Sequence, residues 1–145
     1  MPEREPPPAA SAYKYFAPIT TRWMDNDVYG HVNNVAFYSF FDSAVNRYLI
    51  QEGGLDLERS PEIALVVASS CAYHAPVAYP APLRAGVRVD KLSARSLTWG
   101  IAIFDEKVET AAAHGQVVHV FVDRVTRRPL AIPARMREAL ARITA

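Results

Sequence analysis

The stretch NVAFYSFFDSAVNRYLIQEGG, beginning at Asn34, places Phe37, Phe40, Phe41, Ala44, Tyr48 and Leu49 at helical spacings of three and four. It stops at the Gly53-Gly54 pair, a common helix terminator. An apolar face this wide must be covered over much of its circumference, so the helix has to be embedded in the fold. The period then changes. EIALVVASSCAYHAPV is a β-prone run closing at Pro76, YPAPLRAG is a turn region, and VRVDKLSARSLTWGIAIFDEK alternates as two strands joined near residues 92–94. A turn follows at Asp105-Glu106-Lys107. In GQVVHVFVDRVTRRP, Val118, Val120 and Val122 share one strand face, and Val117, His119 and Phe121 share the other. IPARMREALARI has Pro133 at a first helical position and Met136, Leu140 and Ile143 on one stripe. Ahead of the long helix, YKYFAPITTRW mixes aromatic and β-branched residues around Pro18, which suits an edge strand or a bulge.

The order is a strand, a long helix, four antiparallel-looking strands and a short helix, which points to α+β. Pattern alone does not say that the sheet wraps the helix. A chain of 145 residues makes one domain and at roughly this size buries about 68–70% of its unfolded surface. The domain is expected over 12–145, with the proline-rich opening MPEREPPPAAS, residues 1–11, as a disordered tail. A net charge of +1 gives no electrostatic reason to bind nucleic acid or a membrane surface. The single cysteine, Cys71, allows neither an internal disulfide framework nor a cysteine zinc site, and it reads as a small buried apolar residue. No run approaches the roughly 18 apolar residues of a membrane span, and the opening lacks a secretory pattern, so a cytoplasmic location is expected.

Just before the helix, RWMDNDVYGHVNN packs two carboxylates, an imidazole and side-chain amides into residues 22–34. A helix cap accounts for one of them, and Asn33 is the candidate. Asp25 and Asp27 both suit turns in which a carboxylate accepts from the backbone two residues on. Asp25, Asp27 and His31 are also chemically suitable metal ligands, but no second histidine cluster supports such a site.

The same residues resemble the hotdog-fold acyl-CoA thioesterases of the 4-hydroxybenzoyl-CoA thioesterase-like branch. RWMDNDVYGHVNNVAFYSFFDSA resembles that branch's signature, and YHAPVAYPAPLRAGVRV, SARSLTWGIAIFD and VVHVFVDRVTRRPLAIPARMREAL continue the match over roughly residues 15–140. The resemblance implies a curved antiparallel sheet wrapped around the long helix, paired into a homodimer or doubled to a homotetramer. It implies hydrolysis of an acyl-CoA to a free acid and coenzyme A, with no cofactor and no metal. The catalytic carboxylate falls on Asp27, as nucleophile or general base. The oxyanion donor falls on the backbone N–H of Asn34, at the positive end of the helix, where unpaired N–H groups are available. Asn33 and His31 are supporting candidates. The coenzyme A contacts fall on Arg95 and Ser96, with Lys91 beside them; Arg84, Arg88, Arg127 and Arg128 read as solvated or partner-contacting. Hydrolysis of acyl-carrier-protein thioesters and non-catalytic acyl-CoA binding remain the alternatives, since a fold does not fix a function.

Overall fold

The computed structural model describes residues 5–145. Strand β1 (Tyr15–Ile19) is followed by helix α1 (Asn34–Gln51), strands β2 (Glu62–Tyr73), β3 (Leu83–Leu92), β4 (Ser96–Asp105) and β5 (Ala113–Asp123), and helix α2 (Ala134–Ala141). The strands form one antiparallel sheet in the order β1-β3-β4-β5-β2, so β1 and β2 are its edges. Pro18, which has no N–H to give to a ladder, sits on the short edge β1, which pairs with β3 alone among the described residues. Register shifts between Val66 and Ala68 and between Val89 and Lys91 add local bends.

The sheet wraps α1. Phe37, Phe40, Phe41, Ala44, Val45, Tyr48 and Leu49 are buried against a cluster that includes Val87, Trp99, Ile101, Ile103, Val117 and Phe121. All six apolar positions expected on the helix are in the core, each large side chain contributing about 2 kcal/mol of burial. On β5 the inward face is Val117, His119 and Phe121. Helix α2 closes one end through Met136, Ala139 and Leu140, and the Tyr48 hydroxyl donates to the Ala139 carbonyl. Pro133 is the N-cap of α2, one residue before its expected place.

The opening segment departs from the expected tail. Residues 1–4 lie outside the described residues, but from Pro8 the chain is docked: Ala111 N–H donates to Pro8 O, Ala10 N–H donates to Glu109 O, and Ala10 is buried. Alanines and a short backbone bridge, Ala9 to Thr110, let the segment lie close against the β4–β5 end of the sheet. Two arginines expected to be solvated or partner-contacting make contacts within the chain. Arg84 stacks over Phe16 and Phe104, and Arg88 lies over Tyr13 with Nε 2.8 Å from Asp90 Oδ1. Cys71 is half-buried rather than fully buried, because it lies on the edge strand.

That edge, β2, is the least covered strand of the sheet. Residues 65–70 are exposed on both faces, Val66 and Val67 at 51% and 60%. Twelve residues of open, partly apolar edge are an invitation to pair with another strand.

Candidate active site

The loop between β1 and α1 is built by its own polar side chains. Asp25 is buried, and its Oδ2 accepts from Arg22 N–H at 2.7 Å while Oδ1 accepts from Arg22 Nη2 at 3.0 Å. Asn33 N–H donates to the Asp25 carbonyl. Asp25 therefore holds the loop's shape. Two residues on, the chain folds back: Gly30 N–H donates to Asp27 O, Asp27 N–H donates to His31 O, and Asn26 bridges Val32. The reversal needs the positive φ of Gly30, +83°, which a side chain would strain. Asp27 Oδ1 accepts from Tyr29 N–H at 2.9 Å, so the turn fixes the carboxylate at the loop's rim. Around it Trp23, Met24, Val28 and Tyr29 are exposed large apolar side chains, and a hollow of about 740 Å³ is lined by Trp23, Asn26, Asp27, Val28, Tyr29 and Asn33.

Asn33 caps α1, its Oδ1 accepting from Val35 N–H at 2.9 Å. Its carbonyl accepts from Ala36 N–H. Among the described residues the Asn34 N–H meets no acceptor, and it sits at the positive end of an 18-residue helix. Asn34 lines a cleft of about 340 Å³ with His31, Phe37, Tyr73, His74 and Val77. Tyr73 at the end of β2 forms the facing wall and donates its hydroxyl to Asn34 O at 2.9 Å. Of the helix aromatics, Phe37 reaches this cleft, whereas Phe40, Phe41 and Tyr48 are core.

Asp27 and Asn33 thus line one hollow and His31 and Asn34 the next, with the Asn33-Asn34 peptide between them. Asp25, Asp27 and His31 do not converge, since the Asp25 carboxylate is turned to Arg22 and that of Asp27 to Tyr29. Lys91, Arg95 and Ser96 are elsewhere. Ser96 starts β4, whereas the cleft end of the sheet is marked by Ile103, paired to Ala113 and through it to Tyr73. Seven residues of strand put about 23 Å between the two ends within one chain.

Three histidines have partners that the sequence does not indicate. His119 is buried and its Nδ1 accepts from Trp99 Nε1–H at 3.0 Å; burial pushes its pKa down to about 4. His74 and His114 contact each other, with Nε2 and Nδ1 2.8 Å apart. A polar residue on the inward face of a strand was the available signal for His119; nothing in sequence linked residues 74 and 114.

The model of the family described as thioesterase-like superfamily matches residues 21–140, from the loop through α2. The chain belongs to the thioesterase-like superfamily. Its chemistry is accordingly thioester hydrolysis, which is the work a free N–H at a helix start can assist. Among solved structures, the PA5185 protein of Pseudomonas aeruginosa PAO1 is 51% identical over 97% of this chain and 98% of its own, with a TM-score of 0.95. The same fold is seen at 19% identity in a 1,4-dihydroxy-2-naphthoyl-CoA thioesterase from Synechocystis, covering 88% of this chain and 95% of that one, TM-score 0.78. It recurs in a DHNA-CoA thioesterase from Staphylococcus aureus, 22% identical over 88% and 89%, TM-score 0.76. No curated protein matches the chain. The wrapped sheet is the hotdog fold of these thioesterases. Among the described residues, no helix is long and apolar enough to cross a membrane.

Proposed function

We propose that the protein hydrolyses acyl-CoA thioesters, with Asp27 as the carboxylate that attacks or activates water and the Asn34 N–H as the donor to the oxyanion. The observation that carries this reading is the Asn34 N–H, which meets no acceptor among the described residues, on a residue that lines a cleft one peptide away from the hollow of Asp27. A donor preorganised at a helix start is worth on the order of 3–4 kcal/mol to a tetrahedral transition state. Asn33 serves as the cap that exposes the donor, and His31 is held at the rim by the same turn.

The binding of the coenzyme A portion by Arg95, Ser96 and Lys91 requires a second copy of the chain. Two copies joined antiparallel along β2 place the hairpin end of one sheet at the cleft end of the other, because the two-fold axis reverses strand direction. From β2 through the partner's β2 and β5 to its β4 is three strand spacings, about 14 Å. Coenzyme A spans that gap, and its phosphates then meet the partner's basic hairpin. The open apolar edge of β2 supports this homodimer.

The test is thiol release from short, long and aromatic acyl-CoAs by the wild type and Asp27→Asn. Turnover by the wild type alone supports the reading. Equal turnover by the variant removes Asp27 from it. Release only from acyl-carrier-protein thioesters moves the handle from coenzyme A to a carrier protein, and binding without release makes the protein an acyl-CoA carrier.

A further inference from the structure

His74, the first residue past β2, lines the cleft that holds Asn34. Its Nε2 lies 2.8 Å from His114 Nδ1, the two rings are stacked with centroids 4.9 Å apart, and His114 Nε2 lies 3.0 Å from Glu5 Oε2. A carboxylate only accepts, so His114 carries a proton on Nε2 and offers Nδ1 as acceptor. His74 is then the donor of the pair through its own Nε2–H, and its protonated form keeps that bond. Glu5 is brought there by the docked opening segment, and His114 by β5 next to β2. The result is a carboxylate and two imidazoles in line from the protein surface to the cleft. Among the described residues lining this cleft, His74 is the titratable side chain whose tautomer is set through a charged group.

Thioester hydrolysis needs two proton transfers, one from the attacking water and one to the departing sulfur. In the general-base form of the reading above, the first belongs to Asp27 in the neighbouring hollow. We propose that His74 performs the second, and that His114 and Glu5 are positioning residues that fix its ring and tautomer. The proposal rests on the hydrolase reading of the Asn34 cleft. In the step, the water oxygen bonds to the acyl carbon and its proton passes to Asp27. The carbon–sulfur bond then breaks, and the sulfur leaves with the proton of the His74 imidazolium. Asp27 afterwards returns one proton to solvent and His74 takes one back, so the net reaction is thioester plus water giving acid plus thiol.

The experiment compares two leaving groups for one acyl group: coenzyme A, whose alkyl thiolate benefits from a proton, and an aryl thiol, which departs readily as the anion. Wild type, His74→Gln, His114→Phe and Glu5→Gln are measured on both. His74→Gln is expected to lower kcat for the acyl-CoA about 10²-fold, the low end for a general acid, and to leave the aryl thioester unchanged. His114→Phe and Glu5→Gln give smaller losses with the same leaving-group dependence, at constant KM. Glu5 is largely exposed, so its variant reports on the proposal even if the histidine variants fold poorly. Equal losses on both leaving groups, or no loss on the acyl-CoA, overturn the role of His74 while thiol release by the wild type leaves the hydrolase standing. A wild type that cleaves neither thioester overturns both.

Discussion

The Tyr73 hydroxyl donates to the Asn34 carbonyl oxygen across 2.9 Å, tying the end of β2 to the first peptide of α1. Burial pushes the Tyr73 ionisation well above its ordinary value, so the hydroxyl stays a donor throughout the working pH range. Tyr73→Phe is expected to cost about 1 kcal/mol of stability, the usual worth of one such bond. It is expected to lower kcat more than it raises KM, because the bond holds Asn34, the residue whose own N–H is proposed to meet the oxyanion, from its carbonyl side. Urea unfolding and steady-state kinetics on one preparation separate the two effects.

The backbone donor itself can be deleted. Asn34 is the first helical residue, where proline is tolerated, and Asn33 already has the extended backbone that a following proline requires, φ −61° and ψ 139°. Asn34→Pro is expected to keep the circular dichroism and melting point of the wild type while losing about 10²–10³-fold in kcat. Asn34→Ala, which keeps the N–H, is expected to remain active. An inactive alanine variant would move the role from the backbone to the side chain.

His119 makes stability depend on pH. Its folded pKa is near 4 because burial disfavours the charged ring, against 6.5 in the unfolded chain. Between these values the unfolded state binds the extra proton, so the contribution is complete above pH 6.5, falls as the pH drops, and has lost about 3 kcal/mol below pH 4. His119→Gln is expected to flatten this part of the curve, read as urea midpoints at pH 4.5 and 7 for both proteins. The Trp99 N–H keeps an acceptor in that variant.

The β2 edge predicts association. Light scattering of the wild type is expected to give a dimer or a multiple of it. Val66→Glu, at the exposed middle of the edge, is expected to give a folded monomer, since a charge on an edge strand opposes pairing. Loss of turnover in that monomer, restored at high protein concentration, is the signature of a site completed by its partner.

The core helix was legible because its spacing left one way to hide six apolar side chains, and the cap followed from Asn33 preceding that run. The strands followed from alternation, though not the wrapping, which depends on pairings such as Phe16 to Gly86 that no local pattern contains. The polar loop showed where chemistry could sit and that Asp27 suits a turn, the one its bond from Tyr29 N–H closes, yet not that the Asp25 carboxylate is spent on Arg22. Residues 8–11 read as part of a tail because prolines forbid helix; their docking uses backbone groups, which a side-chain pattern does not reveal. The His74–His114 pair was hidden for a similar reason: forty positions of chain separate two rings that the β2–β5 ladder sets side by side.

The wrapped helix has a consequence for synthesis. Helix α1 is complete at residue 51, but the strand that finishes its cover, β5, ends at residue 123, a further 123 − 51 = 72 residues. At about 5–20 residues per second, a ribosome takes roughly 4–14 s to supply them. For that interval the nascent chain carries Phe37, Phe40, Phe41 and Leu49 with nothing to bury them. The core helix is made early and covered late, and an apolar face exposed for that long is the surface that chaperones bind.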